Sequence, residues 1–137
     1  MKRKLYRGSQ EKLALFNELV NSVNNLGFPI IVEGKRDKIA LEKLDFNVPI
    51  IKLNDGQSIL STVETLSNIT GDSREFIILT DWDKTGKSLL HKLQKFGESV
   101  DLVPNILFWN ILRNLFSKEI SCIEDLPSII NLLSKNP

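Results

Sequence analysis

Two aspartates, Asp81 and Asp83, follow directly on a short apolar run, Phe76-Ile-Ile-Leu-Thr80, and Gly86 comes three residues later. A buried strand that delivers two acids to its C-terminal end is well placed to hold a divalent cation. Such oxygen donors suit Mg²⁺, which one or two carboxylates hold while waters and substrate phosphates complete the shell. The chemistry this points to is on phosphate esters. A third acid, Glu33, closes a second β-branched run, Ile30-Ile-Val32, and Gly34 follows it at once. If the two runs are neighbouring strands, Glu33, Asp81 and Asp83 converge on one crevice. Three like charges gathered out of water are costly unless a cation neutralises them.

Each of these residues also has a plainer role open to it. An acid just after a strand serves as a helix N-cap, and Asp81 or Asp83 could cap a helix starting near Lys84. Gly34 and Gly86 let the backbone turn tightly, whether for the turn alone or for the approach of a phosphate. Lys35 and Lys87 either clamp substrate phosphates or belong to solvated helix faces. Lys38, Lys92 and Lys95 read as solvated faces. The basic start, with Lys2, Arg3, Lys4 and Arg7, is either a nucleic-acid-binding arm or a solubilising tail. Trp82 either packs beneath the acidic loop or stacks on a base. His91 reads as a partly exposed helix residue, and Tyr6 as a surface residue.

The elements that must position these groups are legible from periodicity. Residues 9–26 carry apolar positions at helical spacing, with Ser9 to cap and Gly27 to stop. Strands are expected at 30–33, 48–53, 75–80 and 99–103. Helices are expected at 35–44, 58–69, 86–96 (closed by Gly97), 104–116 and 124–133, with a turn at Asn54-Asp55-Gly56. Strands alternating with helices predict a parallel sheet covered on both faces. In such a sheet, ligands bind beyond the carboxyl ends of the strands, where Glu33 and Asp81 fall.

The 137 residues, 42% hydrophobic and 26% charged, fit one domain with a sizeable core. A net charge of +1 supplies no global field for nucleic acid, so local patches must hold such a partner. The single cysteine, Cys122, excludes an internal disulfide and a cysteine metal cage. No run approaches membrane-span length, and the expectation is a cytoplasmic protein.

The segments Val32-Glu-Gly-Lys-Arg-Asp37 and Thr80-Asp-Trp-Asp-Lys-Thr-Gly86 resemble the Toprim domain, in the family's order and across residues 29–103. That domain occurs in topoisomerases, bacterial-type primases, OLD-type nucleases, recombination mediators and a ribosomal-RNA maturation ribonuclease. These segments look most like the small stand-alone Toprim proteins and the maturase. The resemblance implies a Rossmann-like fold with a central four-stranded parallel sheet. It implies that Asp81 and Asp83 bind Mg²⁺, with Mn²⁺ as a substitute, and that Glu33 is a further ligand or the general acid/base. Topoisomerases of type IA carry glutamate where this chain has Thr85, which points away from their chemistry. The expectation is one Toprim-type domain over residues 1–137, with its core at 29–103, an N-terminal helix at 9–26 and extra C-terminal helices at 104–134. Its expected action is metal-dependent cleavage of RNA or DNA. Phe108, Trp109, Leu112 and Phe116 read as core, although the C-terminal helices also offer a face for a protein partner or a second copy.

Two other readings compete. A Toprim domain of this size could bind Mg²⁺, nucleic acid or a protein without turnover. Asp81-Trp-Asp83-Lys-Thr85 also fits the Asp-x-Asp-x-Thr of haloacid-dehalogenase-type phosphatases, with Asp81 as nucleophile. That family carries the motif on its first strand and needs a later acidic pair, whereas here it falls on the third strand with no Asp-Asp after it. The overlap of Asp81 to Ser88 with a P-loop is discounted, because an acid in place of the first glycine repels phosphate.

Overall fold

A computed structural model describes residues 8–53 and 58–135. The basic arm around Lys2 to Arg7, Tyr6 and the Asn54-Asp55-Gly56 turn lie outside the described residues. Four short strands form one parallel sheet: β1 (Ile30–Val32), β2 (Ile50–Lys52), β3 (Glu75–Ile78) and β4 (Val103–Asn105), in the order β2-β1-β3-β4. β1 lies between β2 and β3, pairing Ile31 with Ile51 on one side and with Ile78 on the other. Both central strands are buried along nearly their whole length, as continuous apolar runs in a parallel sheet must be. The fold is therefore α/β, a four-stranded parallel sheet flanked by helices.

Among the described residues six helices cover it: α1 (Ser9–Leu26), α2 (Lys35–Lys43), α3 (Ile59–Ser67), α4 (Lys84–Ser99), α5 (Leu107–Phe116) and α6 (Leu126–Lys135). α3 packs on α4, and α6 packs on both α1 and α2. Phe16 of α1 meets Phe46 and Phe116 edge-on, with centroids 6.2 and 6.1 Å apart, the T-shaped geometry that ring quadrupoles favour. α5 turns Phe108, Trp109, Leu112, Leu115 and Phe116 into the core, while Leu107 stays exposed. Among the described residues no helix is long and apolar enough to cross a membrane.

The pattern-based expectations need correction at element ends. α1 is capped by Gly8, with Ser9 already inside the helix, and Gly27 in the left-handed region ends it. Gly97 does not close α4; the helix runs through it to Ser99. A Cβ at Gly97 would lie 2.8 Å from Phe76 Cζ, so the glycine there serves close packing on β3. The fourth strand falls at Val103–Asn105, not 99–103, and Pro104 belongs to it and not to the following helix. Pro104 is tolerable because β4 is an edge strand. The last helix begins at Leu126, after a 3₁₀ turn, Ile123–Asp125.

Candidate carboxylate site

Because β1 and β3 are adjacent and parallel, their carboxyl ends open on the same side, and Glu33 and Asp81 meet there. The Asp81 N–H donates to Glu33 Oε2 at 2.6 Å. Asp37, three residues into the turn and helix after Gly34, is 8% exposed, and its Oδ2 accepts from the Gly34 N–H at 3.1 Å. Glu33, Gly34, Lys35, Arg36, Asp37, Asp81 and Glu124 line one open crevice of about 360 Å³.

The electrostatics follow from this crowding. Glu33 is pushed from 4.5 up to about 7, first by burial and then by the charges of Asp81 and Asp37, against the Asp81 N–H that steadies its charged form. Asp37 rises from 3.8 to about 6 through burial and the Asp81 charge, with a smaller push from Glu124. Burial also raises Asp81, aided by the charges of Asp83 and Glu124 and opposed by the Ile123 N–H, which donates to Asp81 Oδ1 at 2.8 Å.

Asp83 and Gly86 do local work. Asp83 is the N-cap of α4, its Oδ1 accepting from the Gly86 N–H at 2.7 Å. It is exposed and stands outside the crevice lining. A Cβ on Gly86 would fall 1.9 Å from the Asp81 carbonyl oxygen, so only glycine fits against that turn. The Gly86 carbonyl accepts from the buried Thr80 hydroxyl at 2.8 Å, tying the end of β3 to the first turn of α4. Lys35 is exposed on the crevice rim, whereas Lys87 is exposed on α4 outside the lining. The Gly34 N–H is already engaged by Asp37. Trp82 is buried, its indole N–H donating to the Ile120 carbonyl at 2.7 Å.

Glu124 and Asp37 are the acidic crevice residues to which sequence reasoning gave no site role, and Glu124 is the more distant. It arrives from the 3₁₀ turn far along the chain, and its only sequence signal is the acidic pair Glu124-Asp125 ahead of the last apolar helix. A larger cavity, about 480 Å³, lies between α1 and α5. Its lining of Leu15, Leu19, Phe108, Ile111 and Leu115 is mainly apolar, and it lacks the crevice's convergence of acids.

Among the described residues no three acidic, histidine or cysteine side chains are already gathered closely enough to enclose one ion. The chemistry of the donor set nevertheless fits a hard cation: Glu33, Asp81 and Glu124 offer only oxygen, and the raised Glu33 and Asp81 carry repulsion that a cation relieves.

Comparison with known sequences places the chain among relatives. The chain is 32% identical over 129 residues to a UPF0292 protein of Methanosarcina barkeri, spanning 94% of this chain and 87% of that one. It is 34% identical to a UPF0292 protein of Thermococcus kodakarensis, over 85% of this chain and 84% of the other. A UPF0292 protein of Thermoplasma volcanium is 36% identical over 76% of this chain. A solved structure of a protein from Aquifex aeolicus superposes with a TM-score of 0.65 at 26% identity, covering 80% of this chain and 95% of that one. No family model matches the chain.

Proposed function

The chain belongs to the UPF0292 family, and on that premise we propose that it is a Toprim-type, Mg²⁺-dependent phosphoryl-transfer module that cleaves nucleic acid. The observation that carries this reading is the meeting of Glu33 and Asp81 at the carboxyl ends of two adjacent parallel strands, where the Asp81 N–H donates to Glu33 at 2.6 Å. That is the place in an open α/β sheet where ligands bind.

In this reading Glu33 and Asp81 hold the cation, Asp83 is a further ligand on the loop beside the crevice, and Glu124 is a further acid in the crevice lining. When bound, Mg²⁺ supplies charge neutralisation at the phosphoryl oxygens and lowers the pKa of an attacking water. Glu33 would either complete the metal shell or act as the general acid/base; in the metal-free protein its pKa lies at about 7. The N-termini of α2 and α4, which follow β1 and β3 through short turns, add positive potential on the side where a phosphate would lie. Lys35 on the rim and Arg36 beside Glu124 supply the local positive charge that a net charge of +1 does not. Lys87 extends that charge outward along α4. The partner in this reading is RNA or DNA, and the setting is the cytoplasm.

Purified protein with Mg²⁺ or Mn²⁺, presented with single- and double-stranded RNA and DNA, tests this. Cleavage is expected, falling by about 100-fold or more in Asp81→Asn and in Glu33→Gln. Cleavage that survives both substitutions overturns the assignment. Saturable Mn²⁺ binding without cleavage of any substrate supports the binding-module reading instead. An aspartyl-phosphate trapped on Asp81 from a simple phosphate monoester supports the phosphatase.

A further inference from the structure

Three hydrogen bonds tie the acidic loop to segment 120–124. The Trp82 main-chain N–H donates to the Ser121 carbonyl at 3.1 Å. Its indole N–H donates to the Ile120 carbonyl at 2.7 Å. The Ile123 N–H donates to Asp81 Oδ1 at 2.8 Å, across 42 residues of sequence. Trp82 is 6% exposed and Ile123 is fully buried, so the donor side of these part-buried bonds is shielded from bulk water, which strengthens them.

The direction of the bonds carries the inference. Filling the space beneath the loop requires only an apolar side chain, yet both N–H groups of Trp82 are spent on the carbonyls of this one segment. The segment answers with its own N–H, which engages Asp81 Oδ1, while the Asp81 carboxyl also meets that of Glu33 at the crevice. The next residue, Glu124, lines that crevice, with Oε2 4.0 Å from Arg36 Nη1. The mooring therefore acts on the two walls of the site at once.

We infer that Trp82 is a positioning residue for Asp81: it moors segment 120–124, and that segment fixes the Asp81 carboxylate through the Ile123 N–H. A carboxylate held in one orientation binds a cation without first losing rotational freedom, which is the general advantage of a preorganised ligand. The C-terminal segment is on this account a working part of the site. The inference rests on the reading of Asp81 as a cation-holding group.

The test measures Mn²⁺ affinity by water-proton relaxation in the full chain, without reference to turnover. Trp82→Phe keeps an aromatic ring under the loop and removes the indole donor together with part of the ring volume. It is expected to bind Mn²⁺ about three- to tenfold more weakly than the wild type while keeping a cooperative unfolding transition. A second variant, one glycine inserted between the exposed residues Ser117 and Lys118, slackens the segment without altering a core side chain. It is expected to weaken Mn²⁺ similarly and decides the matter if Trp82→Phe fails to fold. Unchanged affinity in a folded variant, with normal binding by the wild type, overturns the mooring alone. Absence of Mn²⁺ binding by the wild type overturns the cation reading and the mooring together.

Discussion

At the start of β3 the half-buried Glu75 accepts from Asn105 Nδ2 at 2.9 Å, and Arg74 beside it donates to the carbonyls of Asp101 and Val100 at 2.6 and 2.7 Å. Beyond the other end of the same strand, Asp81 meets Glu33 and the charge of Asp37, and its Oδ1 accepts from the Ile123 main-chain N–H. The first end is closed: the Arg74 and Glu75 side chains are taken up by main-chain carbonyls of the neighbouring turn and by Asn105 of the edge strand. The second end gathers acids that burial and mutual repulsion hold above their ordinary pKa values. Selection for stability alone would pair or remove such groups, and their accumulation at this end is what the proposed site rests on.

Alanine substitution at two α4 glycines probes the two ends most strongly. At Gly86 a Cβ meets the Asp81 carbonyl, which is backbone and cannot yield. At Gly97 it meets the Phe76 ring, a side chain that can shift. Gly86→Ala should cost about 3 kcal/mol or more and Gly97→Ala about 1–2 kcal/mol in urea unfolding. Equal costs would mean that the acidic turn is no more tightly built than ordinary helix–sheet packing.

The pH dependence of stability comes next. Glu33 is raised from 4.5 to about 7 in the folded protein, so the folded state binds the proton more tightly than the unfolded chain does. Its stabilising contribution is complete below about pH 4.5 and is lost as pH rises through about 7. Asp37, raised to about 6, acts in the same direction over a lower window. Allowing for solvent screening in the open crevice, metal-free protein should lose about 1–2 kcal/mol across this range from Glu33. Asp81→Asn keeps an acceptor for the Ile123 N–H and removes the charge, so it should flatten the profile, whereas Glu75→Gln at the closed end should not. Urea midpoints between pH 4 and 8 measure this, and a Glu75→Gln profile as flat as that of Asp81→Asn would erase the contrast.

The smallest effect concerns Glu124. Its charge helps to raise Asp37 and Asp81, so Glu124→Gln should lower the Asp37 pKa from about 6 by a fraction of a unit. Carboxyl NMR titration reads this directly. An unmoved Asp37 would place Glu124 electrically outside the crevice.

Much of the acidic end was legible beforehand. Ile30-Ile-Val32 and Phe76 to Leu79 announce buried strands through unbroken apolar runs, and acids at their ends fall at the ligand-binding edge of a parallel sheet. The helix faces were legible for the same reason, since their burial repeats at a fixed period. Element ends were less so. Gly97 has the look of a helix stop, but its role depends on the Phe76 ring packed against it. Pro104 has the look of a helix start, but edge position lets it remain in β4. Asp83 admitted two readings, and only the 2.7 Å bond from the Gly86 N–H establishes the cap.

By itself the sequence determined the alternation of strands and helices, the buried faces and the placing of Glu33 and Asp81 at strand ends, because these depend on local periodicity and on where an apolar run stops. Only the tertiary structure decided that β1 and β3 are neighbours, that Asp37 is drawn into the crevice, and that segment 120–124 returns to clamp Asp81 and bring Glu124 alongside. Those outcomes depend on strand order and on contacts between residues many positions apart, and local sequence pattern carries no term for either.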